Sequence, residues 1–218
     1  MKQILLISSL FLMVVSLHAQ KDTSTFVVMV NGKEYKTQPR RLNIGHYGYI
    51  TGNAIGPDKC LRIWLADFYG KEIKEPGTYL IVDAYYPDTK QNINEAIATG
   101  KYKGLAAIKY VEETKSPRME YHVGMSENNG ETVQVTIGSD GYTEFTFNST
   151  LVGSYWKEKA MTTAFGGVGR IVDKMENKAV TGATGFEQDI DPEGNGYKKQ
   201  KETDTIVLTD GKVRFKMK

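Results

Sequence analysis

Thr132-Val133-Gln134-Val135-Thr136-Ile137-Gly138-Ser139-Asp140-Gly141-Tyr142-Thr143-Glu144-Phe145-Thr146-Phe147 is the stretch on which the fold turns. Val133, Val135 and Ile137 alternate with Thr132, Gln134 and Thr136. A period of two sets one group against a core and leaves the other in water, which is the pattern of a strand. Asp140-Gly141 then interrupts the pattern. Asp and Gly tolerate positive φ, so the pair predicts a tight turn into a second strand over Tyr142–Leu151.

The same grammar recurs outward in both directions. Met119, Tyr121, Val123 and Met125 alternate with Arg118, Glu120 and His122, and Asn129-Gly130 predicts a turn before Thr132. Val213, Phe215 and Met217 alternate with Lys212, Arg214 and Lys216, and Asp210-Gly211 predicts a final hairpin with Thr205–Thr209. Asn31-Gly32 joins the apolar run Phe26–Val30 to Lys33–Lys36, and Pro76-Gly77 precedes Thr78–Val82. The runs Phe26–Val30 and Tyr79–Val82 are apolar on both faces, as central or doubly covered strands are. The best helical candidate is Asn92–Ala98, where Ile93 and Ile97 are four apart; short and beside Gly100, it reads equally as a loop. Short strands with turn signals between them predict an all-β fold, an antiparallel β-sandwich with an open β-barrel as the alternative and little helix. The expected core is Phe26–Val30, Ile63, Leu65, Tyr79, Ile81, Val133, Val135, Ile137, Phe145 and Phe147.

Composition agrees. The 218 residues are 40% hydrophobic, 25% charged and 11% aromatic, which excludes a disordered chain. Twenty-eight basic residues against 26 acidic ones give a formal net charge of +2. That balance offers no reason to expect nucleic acid or an anionic membrane as partner.

The N-terminus has one positive charge at Lys2, a short apolar run over Ile4–Leu17 and a small residue at Ala19. This pattern predicts a secretory signal peptide over 1–19, followed by a single β-rich domain over 20–218. The run is interrupted by Ser8, Ser9 and Ser16 and falls short of the roughly 20 apolar residues of a spanning helix, so no transmembrane anchor is expected. No Cys follows the run, so no lipid anchor is expected either. The polar, Gly-rich stretch 181–203 reads as a long loop before the last hairpin.

In this layout the chain resembles uncharacterised secreted, lipoprotein-like β-sandwich proteins of Bacteroidetes. The resemblance rests on the opening Phe26–Lys33 with its Asn-Gly-Lys, on Pro76-Gly77-Thr78-Tyr79, and on the closing Ile206–Phe215. The chain departs from them in lacking the lipobox Cys and in having Thr143–Phe147 where they show Gly-Thr-Phe. The resemblance implies a β-sandwich and a periplasmic or extracellular location, and brings no functional residues.

Chemistry is sparse. The serine-hydrolase elbow and the phosphate-cradling lysine loop are both missing from the sequence. Gly166-Gly167-Val168-Gly169 lacks the spacing of a dinucleotide fingerprint. Cys60 reads as a small buried thiol, and His46 and His122 as ordinary surface or half-buried histidines. Asp189, Asp191, Glu193 and Gly194 match positions 1, 3, 5 and 6 of a calcium loop, but Gln200 stands where the bidentate Glu belongs. A solvated acidic turn is therefore the expected reading, with calcium the one weak cofactor candidate. Carboxylate pairs suited to a hydrolase, such as Glu112 with Glu113 or Asp67 with Asp83, have no separation fixed by sequence, and adjacent strand residues point to opposite faces. Tyr47, Tyr49, Trp64 and Trp156 read first as rings that fill the core or pack cross-strand, with a platform that stacks on sugar rings as the alternative.

The expectation is thus a non-catalytic exported domain with a binding or structural role and a glycan or cell-envelope protein as candidate partner. A carbohydrate-binding protein and a hydrolase are the alternatives.

Overall fold

The computed structural model describes residues 23–44, 47–53, 59–65, 75–84, 90–114, 120–159 and 197–216. Strands β1 (Thr25–Val30) and β2 (Lys33–Thr37) form a hairpin across Asn31-Gly32, both with positive φ. They are followed by β3 (Pro39–Ile44), β4 (Tyr47–Asn53), β5 (Lys59–Leu65) and β6 (Gly77–Ile81). Helix α1 (Lys90–Ala98) leads to β7 (Gly104–Thr114), β8 (Glu120–Ser126), β9 (Thr132–Ile137), β10 (Tyr142–Glu158) and β11 (Tyr197–Lys216). The all-β expectation holds, in one eleven-stranded sheet ordered β2-β1-β11-β10-β9-β6-β7-β5-β4-β3, with β8 between β10 and β7.

Pairing is antiparallel everywhere except β6 with β7, which is parallel. A parallel neighbour needs a long crossover, and α1 supplies it. The helix extends the expected 92–98 by two residues and stops where Gly100, at φ 67°, sends its N–H back to the Ile97 carbonyl. It buries Ala96 and leaves Ile97 46% exposed.

Of the four Asn-Gly and Asp-Gly pairs among the described residues, Asn31-Gly32 and Asp140-Gly141 turn the chain as expected. At the second, Asp140 Oδ1 accepts the Tyr142 N–H at 3.0 Å. The other two do not make hairpins. Asp210-Gly211 lies inside β11, which stays paired with β10 from Tyr197 to Lys216. It forms a bulge, with Asp210 at φ 54° and the ladder shifted against both β1 and β10. A Cβ on Gly211 would lie 2.6 Å from the Phe147 ring, so only glycine admits that ring. Residues 197–203, read as loop from sequence, belong to the same strand. Asn129-Gly130 marks a break between β8 and β9, which follow one another along the same side of β10.

At each interruption a side chain takes up the backbone group the ladder leaves over, because an orphaned buried amide is costly. Asn148 Oδ1 accepts the Asp210 N–H, Asn31 Oδ1 accepts that of Val207, and the Glu131 carboxylate accepts that of Thr150. Where β6 wedges between β9 and β7, the buried Ser126 hydroxyl accepts the Ile108 N–H at 2.9 Å and donates to the Val82 carbonyl at 2.7 Å.

One face of the sheet encloses the main core. Phe26, Val28, Tyr35, Leu61, Ile63, Tyr79, Ile108, Val133, Phe145, Leu151, Leu208 and Val213 meet there from eight strands. Contacts of β2 with β4 and of β11 with β3 bring the two ends of the strand order together around it. The opposite face carries two smaller clusters. Trp64, Leu105 and Ala107 pack under α1, and Val111, Tyr121, Val123, Trp156 and Tyr197 pack on β7, β8, β10 and β11. The predicted core is present with two corrections. Ile137, at the end of β9 beside the turn, is 42% exposed. Within Phe26–Val30, Phe26 and Val28 are buried in the main core and the half-buried Val30 packs against it, while Val27 and Met29 alternate away, as strand geometry requires. Tyr79–Val82 is covered on both sides as expected, Tyr79 and Ile81 by the main core, Leu80 and Val82 by the helix-side cluster.

Candidate functional site

β8 is where the inner face changes character. Its apolar residues Tyr121 and Val123 point to the outer cluster, so His122 and Gly124 face inward. On β10, His122 is opposite Tyr155, and Gly124 is opposite Gly153; on β11, Asp204 is opposite Gly153. His122 and Asp204 therefore stand two strand spacings apart, roughly 9–10 Å at the backbone, with β10 between them.

They meet across Gly153. His122 Nε2 and Asp204 Oδ1 are 2.8 Å apart, and the Tyr155 hydroxyl donates to Asp204 Oδ2 at 2.7 Å. The His122 and Tyr155 rings are stacked at 4.4 Å and 1°. A Cβ on Gly153 would fall 1.8 Å from Asp204 Oδ1 and 2.9 Å from His122 Nε2. The missing side chain is what lets the bridge pass over the middle strand.

Both oxygens of Asp204 are occupied. Burial pushes its carboxyl upward, but the hydrogen bonds from His122 and Tyr155 and the charge of His122 outweigh that and hold it below the usual carboxylate value. The hydrogen bond to Asp204, helped by burial and by the carboxylate's charge, raises the Tyr155 phenol. With Asp204 accepting at Nε2, the neutral imidazole carries its proton there. Its Nδ1 has no hydrogen-bond partner among the described residues.

The polar row continues across the inner face. Glu112 on β7 is in register with His122. Its Oε1 lies 2.6 Å from Lys59 Nζ on β5, and its Oε2 accepts the Tyr110 hydroxyl at 3.0 Å. Burial, then the charge of Glu112, pushes the Tyr110 phenol well above its ordinary value. Deeper in, burial and then the nearby Cys60 do the same to Tyr35, whose hydroxyl meets the Leu61 backbone. Lys59, Glu112, His122, Tyr155 and Asp204 thus line one end of a face that is otherwise apolar.

Of the aromatics singled out from sequence, the two tryptophans are not displayed. Trp64 is 3% and Trp156 5% exposed, both packed in the outer clusters, and Trp156 Nε1 donates to Ser154 Oγ. Tyr49 stands in register with Trp64, and Tyr47 with Ile44; their side chains lie outside the described residues. Asp189, Asp191, Glu193, Asp67, His46 and the glycines at 166–169 also lie outside them. Gln200, at the twelfth position of the calcium pattern, is in β11 and donates to the Lys198 carbonyl. Among the described residues no group of three His, Cys, Asp or Glu is placed to hold a metal ion. Glu112 and Glu113 face opposite sides, opposite His122 and Tyr121 respectively. Cys60 is half-buried.

Sequence reasoning saw His122 as an ordinary half-buried histidine and missed the cluster, expecting no reactive groups to gather. The available signal was the pair Gly124 and Gly153 inside strong strand patterns, where glycine marks a close approach. No protein family, curated protein or solved structure matches the chain. No helix among the described residues is long and apolar enough to cross a membrane.

Proposed function

We propose that the chain is an exported, non-catalytic binding domain of the periplasm or extracellular space, with residues 1–19 its signal peptide. Its ligand is a polar molecule from the cell envelope that hydrogen-bonds to the row His122, Tyr155, Glu112 and Lys59. The observation that carries this reading is the bridge over Gly153. Three strands and a conformationally expensive glycine are used to fix an imidazole whose Nδ1 is left unused at the end of the inner face. A clamp built for stability alone would satisfy its own donors and acceptors. The carboxylate of Asp204 serves here to fix the tautomer and orientation of His122, as second partners of functional histidines do.

The test is an NMR titration of the full mature chain with a library of soluble envelope glycans and peptides, reading the His122 and Tyr155 ring resonances. Saturable shifts of both rings, lost in Asp204→Asn, are the expected result. Turnover of chromogenic ester, glycoside or phosphoester substrates that disappears in His122→Ala would replace this reading with the hydrolase alternative. Amino-terminal sequencing of the chain recovered from the periplasm of a Gram-negative host should begin after Ala19.

A further inference from the structure

An open groove lies on the other face of the same ladder. It has a volume of about 480 Å³ and is lined by Thr132 and Gln134 of β9, Thr146, Phe147 and Asn148 of β10, and Asp210, Gly211 and Lys212 of β11. The volume is within the range of small-ligand sites, about 300–1,000 Å³. Most such sites are apolar with a few polar anchors. Beside Phe147 and Gly211, this one is lined by hydroxyls, carboxamides and one charge of each sign.

The bulge at Asp210-Gly211 shapes it, by setting an extra residue with positive φ into β11. The groups around the bulge are held from behind. Asn148 Oδ1 is committed to the Asp210 N–H at 2.8 Å, which leaves its NH₂ for the groove. Gln134 Oε1 accepts the Thr78 hydroxyl at 2.9 Å, and its Nε2 reaches Thr132 Oγ1 at 3.4 Å. Lys212 Nζ is 3.3 Å from Glu144. The Thr146 hydroxyl and the Asp210 carboxylate have no side-chain partner among the described residues. The groove therefore offers both donors and acceptors, and Lys212 is paired with a carboxylate.

We infer that this groove binds a neutral, hydroxyl-rich ligand, a short oligosaccharide. A sugar hydroxyl both donates and accepts, so a row of carboxamides, hydroxyls and one carboxylate complements it, whereas an apolar ligand would strand these groups. The inference stands apart from the His122 cluster, which lies on the opposite face of β10.

The experiment is a titration of the full mature chain, labelled with ¹⁵N, with neutral hexasaccharides of glucose, mannose and N-acetylglucosamine in turn. Saturable shifts of the Gln134 and Asn148 side-chain amides and of the Thr146 backbone amide with at least one of them are expected, with the His122 ring unmoved. Thr146→Lys puts a long charged chain into the groove at an exposed position; it should leave the thermal midpoint unchanged and weaken binding by about tenfold or more. Gln134→Ala should weaken it in the same direction. Absence of shifts with all three sugars, shifts confined to another face, or stronger shifts with inorganic phosphate would each overturn the inference. The His122 and Tyr155 resonances in the same samples report the inner cluster separately, so failure of the groove is distinguishable from failure of the proposed binding role.

Discussion

Along β10 and β11 a single inner face is used in two ways. From Phe145 to Leu151, and opposite them at Leu208, Val213 and Phe215, every inward side chain but Ser149 is apolar and buried. Past Leu151 the same face carries Gly153, Tyr155 and Asp204. The first half is held by area, since its energy comes from apolar surface withdrawn from water and tolerates small shifts. The second half is held by geometry. Its hydrogen bonds are partly exposed and individually modest, and they exist only because one position has no side chain. The two regimes meet within a few residues of each other along the same pair of strands.

Breaking the apolar half should have the largest effect. Phe145→Ala removes a fully buried ring packed edge-on against Phe215 at 5.3 Å and should cost about 3–5 kcal/mol in chemical denaturation. Gly211→Ala drives a methyl against the Phe147 ring in the same half and should cost about 1–3 kcal/mol. Ser149→Ala sharpens the comparison with the opposite sign. Its hydroxyl is buried with no partner among the described residues, so the variant should be more stable by about 1 kcal/mol.

In the polar half, Gly153→Ala should displace Asp204 and cost no more than about 1.5 kcal/mol. Its sharper readout is the Tyr155 phenol, which should fall toward its ordinary value in an ultraviolet titration, because Asp204 no longer holds its proton. A stability loss as large as that of Phe145→Ala would show the bridge to be part of the core. The smallest effect is the pH dependence. The folded Asp204 titrates below its ordinary value of 3.8, so its stabilisation is complete above that pH and is lost as the pH falls through the folded value. Asp204→Asn should flatten that acid limb, and a profile unchanged by the substitution would count against the His122 bridge.

Much of the fold was legible because strand alternation and tight turns are local. Val133, Val135, Phe145 and Phe147 were placed in the core by period alone, and Asn31-Gly32 by the positive φ it needs. What was not legible depended on pairing between distant segments. Asp210-Gly211 has the chemistry of a hairpin and of a bulge alike, and only the continuous partner strand β10 decides between them. The parallel pair β6–β7 was hidden by the shortness of α1. His122, Tyr155 and Asp204 belong to three strands between 33 and 82 positions apart in the chain, and no periodicity links them. Trp64 and Trp156 fill clusters on the second face of the sheet, in line with the core reading of these rings rather than the sugar-stacking one.

The place of β11 has a consequence for biogenesis. It lies between β1 and β10, so Thr25 pairs with Arg214, a partner 189 positions along the chain. Such long-range closure is slow, and until it is made β1 keeps an open edge toward β11. The β1–β2 hairpin is thus among the last elements to be placed.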